Sequence, residues 1–220
     1  MRGTMLTSIR RNACFATGLV LLLPMLVLTG CIGTRPVTPT HYYLINPAAY
    51  DAALAETGDA ALSVDIAALR LPRYLEKPQI VVRDSRNRLT MAEYHQWAGN
   101  LRKNLMRTLA GNLAFLLDTP NVTMAPFRPQ VAPDARVEVE IMGFEADEAG
   151  VVKLSVQWRL SRGKTFSMAR MSEFAGSGSS GPTATMNTDR VVRDMETLWG
   201  DFARELANEI RNMPRGTAGS

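Results

Sequence analysis

The clearest pattern in the chain is an alternation of apolar and polar positions in its second half. Val137, Val139 and Ile141 alternate with glutamates, and residues 152–160 continue the alternation after a turn. A third stretch of this kind begins at Phe166. Because successive side chains of a strand point to opposite faces, these stretches predict an antiparallel meander with one buried and one solvent-facing side.

Weaker strand signals precede the meander. Residues 41–45 and 80–82 are short apolar runs, and residues 62–66 alternate between apolar and polar side chains. The alternation slips at residues 67–68 and then resumes, which predicts a β-bulge. One more short strand is expected near Val122.

Two stretches have helical spacing instead. The capping-box spacing of Thr90 and Glu93 predicts the start of a long helix that ends at Asp118. A second helix is predicted over residues 189–212, closed by Pro214. The apolar stripes of the two helices comprise Trp97, Leu101, Leu105, Leu109 and Leu113, and then Val191, Met195, Leu198, Phe202, Leu206 and Ile210.

These elements predict an α+β fold. Two long amphipathic helices covering one face of a mainly antiparallel sheet form the natural two-layer arrangement. Residues 41–213 would make up this single domain, and residues 214–220 would form a disordered tail.

The amino terminus has a different pattern. Three arginines precede an apolar run of about 16 residues, which is shorter than the ~20 needed to span a bilayer. This run predicts a secretory signal over residues 1–30. Its last residues and the next one, Leu28-Thr29-Gly30-Cys31, resemble a bacterial lipobox, in which the cysteine is lipidated and becomes the first mature residue. The alternative is an ordinary signal peptide that happens to end beside a cysteine.

Residues 31–40 contain two prolines and no periodicity, which is typical of an extended tether between a lipidated cysteine and a folded domain. Each buried CH₂ of an acyl chain contributes roughly 0.8 kcal/mol to membrane binding, and two or more chains hold a protein stably. The lipobox therefore predicts a domain anchored permanently to a membrane surface by lipid on Cys31.

Removing the signal also changes the charge balance. The chain has 25 basic and 21 acidic side chains, and residues 1–30 hold three of the basic and none of the acidic ones. The remaining 22 basic and 21 acidic groups nearly cancel. A nucleic-acid partner is not expected, because it would require a concentrated basic surface.

Metal and disulfide chemistry are not expected either. Cys14 lies in the signal and Cys31 is the lipid site, so the domain has no cysteine pair. Only His41 and His95 remain as soft ligands, which makes a structural zinc site implausible. No cofactor is expected beyond the covalent lipid.

Catalytic patterns are weak. Residues 176–181 match G-x-G-x-x-G, but the dinucleotide motif needs a strand-to-helix turn inside a parallel βαβ unit, so a mobile loop is favoured over a phosphate-binding loop. A Ser-His-acid site would have to use His41 or His95, and no G-x-S-x-G is present. We therefore expect a non-enzyme.

Three segments together carry a family resemblance. They are Tyr42-Tyr43-Leu44, the stretch from Leu71 to Val82 that reads LPRYLEKPQIVV, and Trp97-Ala98 followed by Leu101 and Leu105. In this order and spacing the chain resembles the PqiC/YmbA family of ABC-type transport auxiliary lipoproteins.

The resemblance implies a non-enzymatic lipoprotein on the periplasmic side of the outer membrane. Such proteins work with an inner-membrane-anchored MCE-domain protein, and in some systems with an ABC transporter, to move lipids or other hydrophobic molecules across the envelope. Ring-forming members of the family imply a homo-oligomer. A structural or assembly lipoprotein without a transport partner is the alternative.

Residues 72–78 are the candidate contact with a partner or another subunit. Pro72 and Pro78 cannot donate to a sheet ladder and hold the residues between them away from regular strand structure. An aromatic and an aliphatic residue flanked by charges are typical of a small interface anchor. The alternative is that the two apolar residues fold back to cap the core. The five residues concerned are Arg73, Tyr74, Leu75, Glu76 and Lys77.

Overall fold

The computed structural model describes residues 38–48, 60–164, 166–177 and 187–214. The chain divides after Thr38, and the unit from Pro39 onward contains every element named below. The predicted signal peptide, Cys31, most of the tether, most of the glycine-serine loop and most of the tail lie outside the described residues.

The described elements alternate short and long strands with two helices. The strands are β1 (His41–Tyr43), β2 (Val64–Arg70), β3 (Gln79–Ser85), β4 (Arg88–Trp97), β5 (Val122–Met124), β6 (Ala135–Asp147), β7 (Val152–Arg162) and β8 (Phe166–Ala175). The helices are α1 (Leu101–Leu116) and α2 (Thr188–Asn212), and a short 3-10 helix (Arg73–Glu76) joins β2 to β3.

The strands form one eight-stranded mixed sheet organised around β6. One edge of β6 pairs antiparallel with β7, which pairs antiparallel with β8. The other edge is shared, because β2 pairs with its first half and β3 with its end, both in parallel. β5 extends the sheet beyond β2, while β4 and then β1 extend it beyond β3.

The alternating stretches form the predicted meander. The alternating apolar residues of β6 and β7 are buried, whereas Phe166, Met168 and Phe174 of β8 are partly buried. Trp158 of β7 is fully buried, and its indole Nε1–H donates a 3.0 Å hydrogen bond to Ser172 of β8. The predicted bulge in β2 is confirmed by a register shift between Ile66 and Ala68. The short strand near Val122 is also confirmed, as β5.

The start predicted for the first helix is wrong. Residues 88–97, including Thr90, Glu93 and Trp97, form strand β4, which pairs with β3 as a hairpin and with β1 in parallel. The helix begins at Leu101, where the side chain of Asn100 accepts a hydrogen bond from the backbone N–H of Lys103. A capping-box spacing is only local, and pairing with two neighbouring strands overrides it.

The helices contact each other and the sheet. Trp199 of α2 is completely buried, and its indole Nε1–H donates a 3.1 Å hydrogen bond to the carbonyl of Leu105 on α1. Its ring lies 6.2 Å from that of Phe144 on β6. The four predicted stripe leucines within α1 are all buried, so the 3.6-residue periodicity identifies the core face of this helix. The fold is thus α+β, and coverage of a single sheet face by both helices stays a prediction.

Candidate functional site

Backbone hydrogen bonds fix the segment between Pro72 and Pro78, and several of its side chains are exposed to solvent. The backbone N–H of Leu75 donates to the carbonyl of Pro72, which closes the short 3-10 turn. The carbonyl of Pro78 accepts a 2.7 Å hydrogen bond from Trp97, so the segment is joined to the end of β4. Although proline has no backbone N–H, both prolines take part in backbone hydrogen bonding through their carbonyl groups.

The five candidate contact residues divide into two groups. Leu75 is 3% exposed and belongs to the hydrophobic core, while Tyr74 is half-buried and packs against that core. Arg73, Glu76 and Lys77 are exposed. The structure therefore places Leu75 where the core-cap alternative requires it, and it leaves only the three charged residues free to meet a partner.

Tyr74 is fixed by a buried carboxylate. Its hydroxyl donates a 2.9 Å hydrogen bond to Oε2 of Glu145 on β6. Burial, and then the hydrogen bond to Glu145, raises the pKa of the Tyr74 hydroxyl well above its usual range. The phenol is therefore the donor in this hydrogen bond and the carboxylate the acceptor.

Glu145 is itself 8% exposed and fully paired. Its Oε2 also accepts from the backbone N–H of Phe144 at 2.8 Å. Its Oε1 accepts from Nε of Arg83 on β3 at 2.9 Å and from the Nη2 of the same side chain. The hydrogen bond with Glu145 raises the pKa of the Arg83 guanidinium. A buried carboxylate needs this number of donors, because an unpaired one would be strongly destabilising.

The cluster of Tyr74, Arg83 and Glu145 is a polar anchor: it positions the proline-bounded segment against β3 and β6. Sequence reasoning missed two of its members, since it did not single out Arg83 or Glu145. The sequence contains a signal for Glu145. The buried apolar residues of β6 occupy odd-numbered positions up to Ile141 and then the even-numbered positions of Phe144 and Ala146. A register shift between Ile141 and Gly143 causes this change and turns Glu145 away from the core side chains.

The two histidines form a separate contact. The rings of His41 and His95 stack with centroids 5.3 Å apart, and the hydroxyl of Tyr43 lies 2.9 Å from Nδ1 of His95. Burial, followed by hydrogen bonding to Asp189, raises the pKa of Tyr43. These contacts join β1, β4 and the start of α2, through one ring stack and the hydrogen bonds of the Tyr43 hydroxyl.

Metal-binding clusters and membrane-spanning helices are both absent from the described part of the chain. No cluster of three or more His, Cys, Asp or Glu side chains suited to a metal ion occurs in the described ranges. Of the helices that the structure describes, none is long and apolar enough to cross a membrane.

Solved structures share this fold. An uncharacterized protein of known crystal structure superposes with a TM-score of 0.61 and 19% identity, covering 79% of this chain and 99% of its own. Protein XCC0632 from Xanthomonas campestris, a member of the DUF330 family, gives a TM-score of 0.53 and 14% identity over 79% of this chain and 93% of its own. No curated protein matches the chain significantly.

The sequence also matches a family model across most of its length. The match covers residues 42–207, from β1 to within α2, and includes the proline-bounded segment and its polar anchor. The model describes an auxiliary lipoprotein component of ABC-type transport. The chain therefore belongs to the family of ABC-type transport auxiliary lipoprotein components.

Proposed function

We propose that this protein is a lipid-anchored periplasmic component of an MCE/ABC-type system that moves lipids or other hydrophobic molecules between the two membranes. The observation that carries the proposal is the family match over residues 42–207. In this role the domain performs no chemistry, and its contribution is to bind and position partners.

The anchor is lipid on Cys31. The first described strand begins at His41, ten residues after this cysteine, and ten extended residues span at most about 35 Å. The domain would therefore remain close to the membrane surface, while the prolines of the tether would keep it from collapsing onto the lipid.

The membrane is the outer one. In enterobacterial lipoproteins an aspartate directly after the lipidated cysteine retains the protein in the inner membrane, and this chain has Ile32 there. The partner would be an MCE-domain protein anchored in the inner membrane, together with an ABC transporter. Arg73, Glu76 and Lys77 are the exposed residues that we assign to the contact with this partner or with another copy of the chain in a ring.

The anchor is tested by metabolic labelling. Cells expressing the full chain are given a palmitate analogue, and labelling of the wild type is compared with that of Cys31→Ala and of Cys14→Ala as a matched control. We expect loss of label only in the Cys31 variant. Equal labelling of all three would refute lipidation at Cys31, and cofractionation with inner-membrane markers would refute the outer-membrane location.

The transport role is tested by capture. Membranes are crosslinked in cells, the lipoprotein is purified, and the captured proteins are identified by mass spectrometry. An MCE-domain protein with its permease supports the proposal. Recovery of envelope structural proteins alone, from the same crosslinked membranes, would instead support a structural or assembly lipoprotein.

A further inference from the structure

An apolar groove lies between α1 and the segment that follows β5. It has a volume of about 520 Å³, which is within the range of small-molecule sites. Its apolar lining consists of Met106 from α1 and Met124, Ala125, Pro126 and Phe127 from the other side. Phe127 is 74% exposed, although transfer of an aromatic side chain from water to an apolar environment is normally favourable.

The rest of the lining is exclusively cationic. Arg102, Lys103 and Arg107 project from exposed positions of α1, and no acidic side chain lines the groove. Among the residues that the structure describes, none of the three cations has an ion pair or a side-chain hydrogen bond. Three unpaired cations beside an apolar surface are complementary to a molecule with an apolar body and an anionic head.

The apolar part of the lining favours a lipid over a peptide. The side chains of Met106, Met124 and Phe127 offer no hydrogen-bonding group, and a buried peptide backbone would need partners for its N–H and C=O groups. An acyl chain has no such groups. Methionine side chains are flexible and polarizable, so the partly buried Met124 can adapt to chains of different shape, while Met106, which is 6% exposed, forms the floor of the groove.

We propose that this groove binds a single anionic lipid molecule, with its acyl chain against Met106, Met124 and Phe127 and its headgroup between Arg102, Lys103 and Arg107. This inference deepens the proposed transport function, on which it rests for the choice of a lipid, by assigning the class of cargo. The groove is separate from the polar anchor of Tyr74, Arg83 and Glu145.

The test uses the full lipidated chain in phosphatidylcholine nanodiscs. The probe is lysophosphatidylglycerol with a photoactivatable group in its acyl chain, and labelled peptides are mapped by mass spectrometry. The variant is Arg102→Glu with Lys103→Glu, and the matched control is Arg86→Glu with Lys164→Glu. Both control residues are exposed cations in hairpin turns and do not line the groove.

We expect the probe to label peptides that contain Met106 or residues 124–127. The groove double variant should lose at least about tenfold of this labelling, because two charge-assisted contacts are removed, while the control double variant should label normally. Phe127→Ser should also reduce labelling. Misfolding is not expected to explain the loss, because acidic residues in the first turn of a helix are favoured by its dipole, and thermal melting of each variant checks this.

Several outcomes would overturn the inference. Equal labelling of the wild type and the groove double variant would exclude recognition by the cations. Equal labelling by lysophosphatidylcholine with the same chain would exclude selection for an anionic head. Labelling only by phosphatidylglycerol placed in the bilayer would mean that the groove docks on the membrane surface, and loss of a captured protein without loss of lipid labelling would mean that it is a protein interface.

The lipid result and the transport result can be separated. Labelling is measured on the lipoprotein alone, whereas the transport role is measured by partner capture. Normal groove labelling without any captured MCE-domain protein would uphold the lipid site and refute the proposed partner system.

Discussion

The hydroxyl of Tyr74 and the carboxylate of Glu145 are joined by a 2.9 Å hydrogen bond across 71 positions of sequence. This contact attaches an irregular, proline-bounded segment to the longest strand of the sheet. Because Glu145 is also bound to Arg83 on the neighbouring strand, the segment, β3 and β6 are fixed relative to one another. The exposed side chains of Arg73, Glu76 and Lys77 therefore extend from a backbone segment that is fixed to the sheet.

Removing the Tyr74 hydroxyl should therefore destabilise the domain. In Tyr74→Phe the buried carboxylate of Glu145 loses one donor, and we expect the free energy of unfolding to fall by about 1–3 kcal/mol in urea denaturation. The matched control is Tyr42→Phe, since Tyr42 is 66% exposed and should cost less than about 0.5 kcal/mol. Equal stability of the two variants would show that the hydrogen bond contributes nothing.

Truncating Leu75 tests the core-cap role directly. Leu75→Ala removes a buried side chain from the hydrophobic core, so we expect a loss of about 2–5 kcal/mol and a lower melting temperature. Leu44→Ala is the control, because Leu44 is half-exposed and its truncation should cost much less. A melting temperature unchanged in Leu75→Ala would argue that the side chain contributes to a contact with another molecule instead.

Reversing the exposed charges tests the contact role separately. Arg73→Glu with Lys77→Glu alters two exposed side chains, so stability should stay within about 0.5 kcal/mol of the wild type. Recovery of the partner, or of the homo-oligomer, from crosslinked membranes should fall. The Arg86→Glu and Lys164→Glu pair again serves as control, and normal assembly of the Arg73/Lys77 variant would contradict the contact.

The junction of β2 and β6 should show a defined pH dependence. Asp134 accepts hydrogen bonds from the hydroxyl and backbone N–H of Ser63, and these bonds, the hydroxyl first, lower the pKa of Asp134. A carboxylate with a lower pKa in the folded state stabilises the fold above its unfolded pKa near 3.9. That contribution is lost as pH falls through the folded pKa.

We therefore expect Asp134→Ala to cost about 1 kcal/mol at neutral pH, since the site is partly exposed. The difference from the wild type should shrink as the pH is lowered below about 4. Urea denaturation at a series of pH values measures this, with Glu148→Ala in the exposed β6–β7 turn as control. A stability difference that is constant with pH would show that the charge of Asp134 does not contribute.

Local periodicity determined much of this fold. The alternation from Val137 onward identifies β6 and β7, and the spacing of Leu105, Leu109 and Leu113 identifies the core face of α1. These patterns succeed because an element with one buried face must repeat its apolar residues with its own period. The family resemblance, which the family match confirms, came from the short segments at residues 42–44, 71–82 and 97–105.

Long-range pairing decided the rest. Thr90 and Glu93 have the spacing of a helix start, yet they lie in β4, because β1 and β3 supply hydrogen-bonding partners on its two sides. The parallel placement of β2 and β3 along β6 joins residues far apart in sequence and leaves no local signal. Likewise, only the folded chain brings Arg83 and Tyr74 to Glu145. From sequence alone, a charged residue in a strand is predicted to face solvent, because its buried partners are not known.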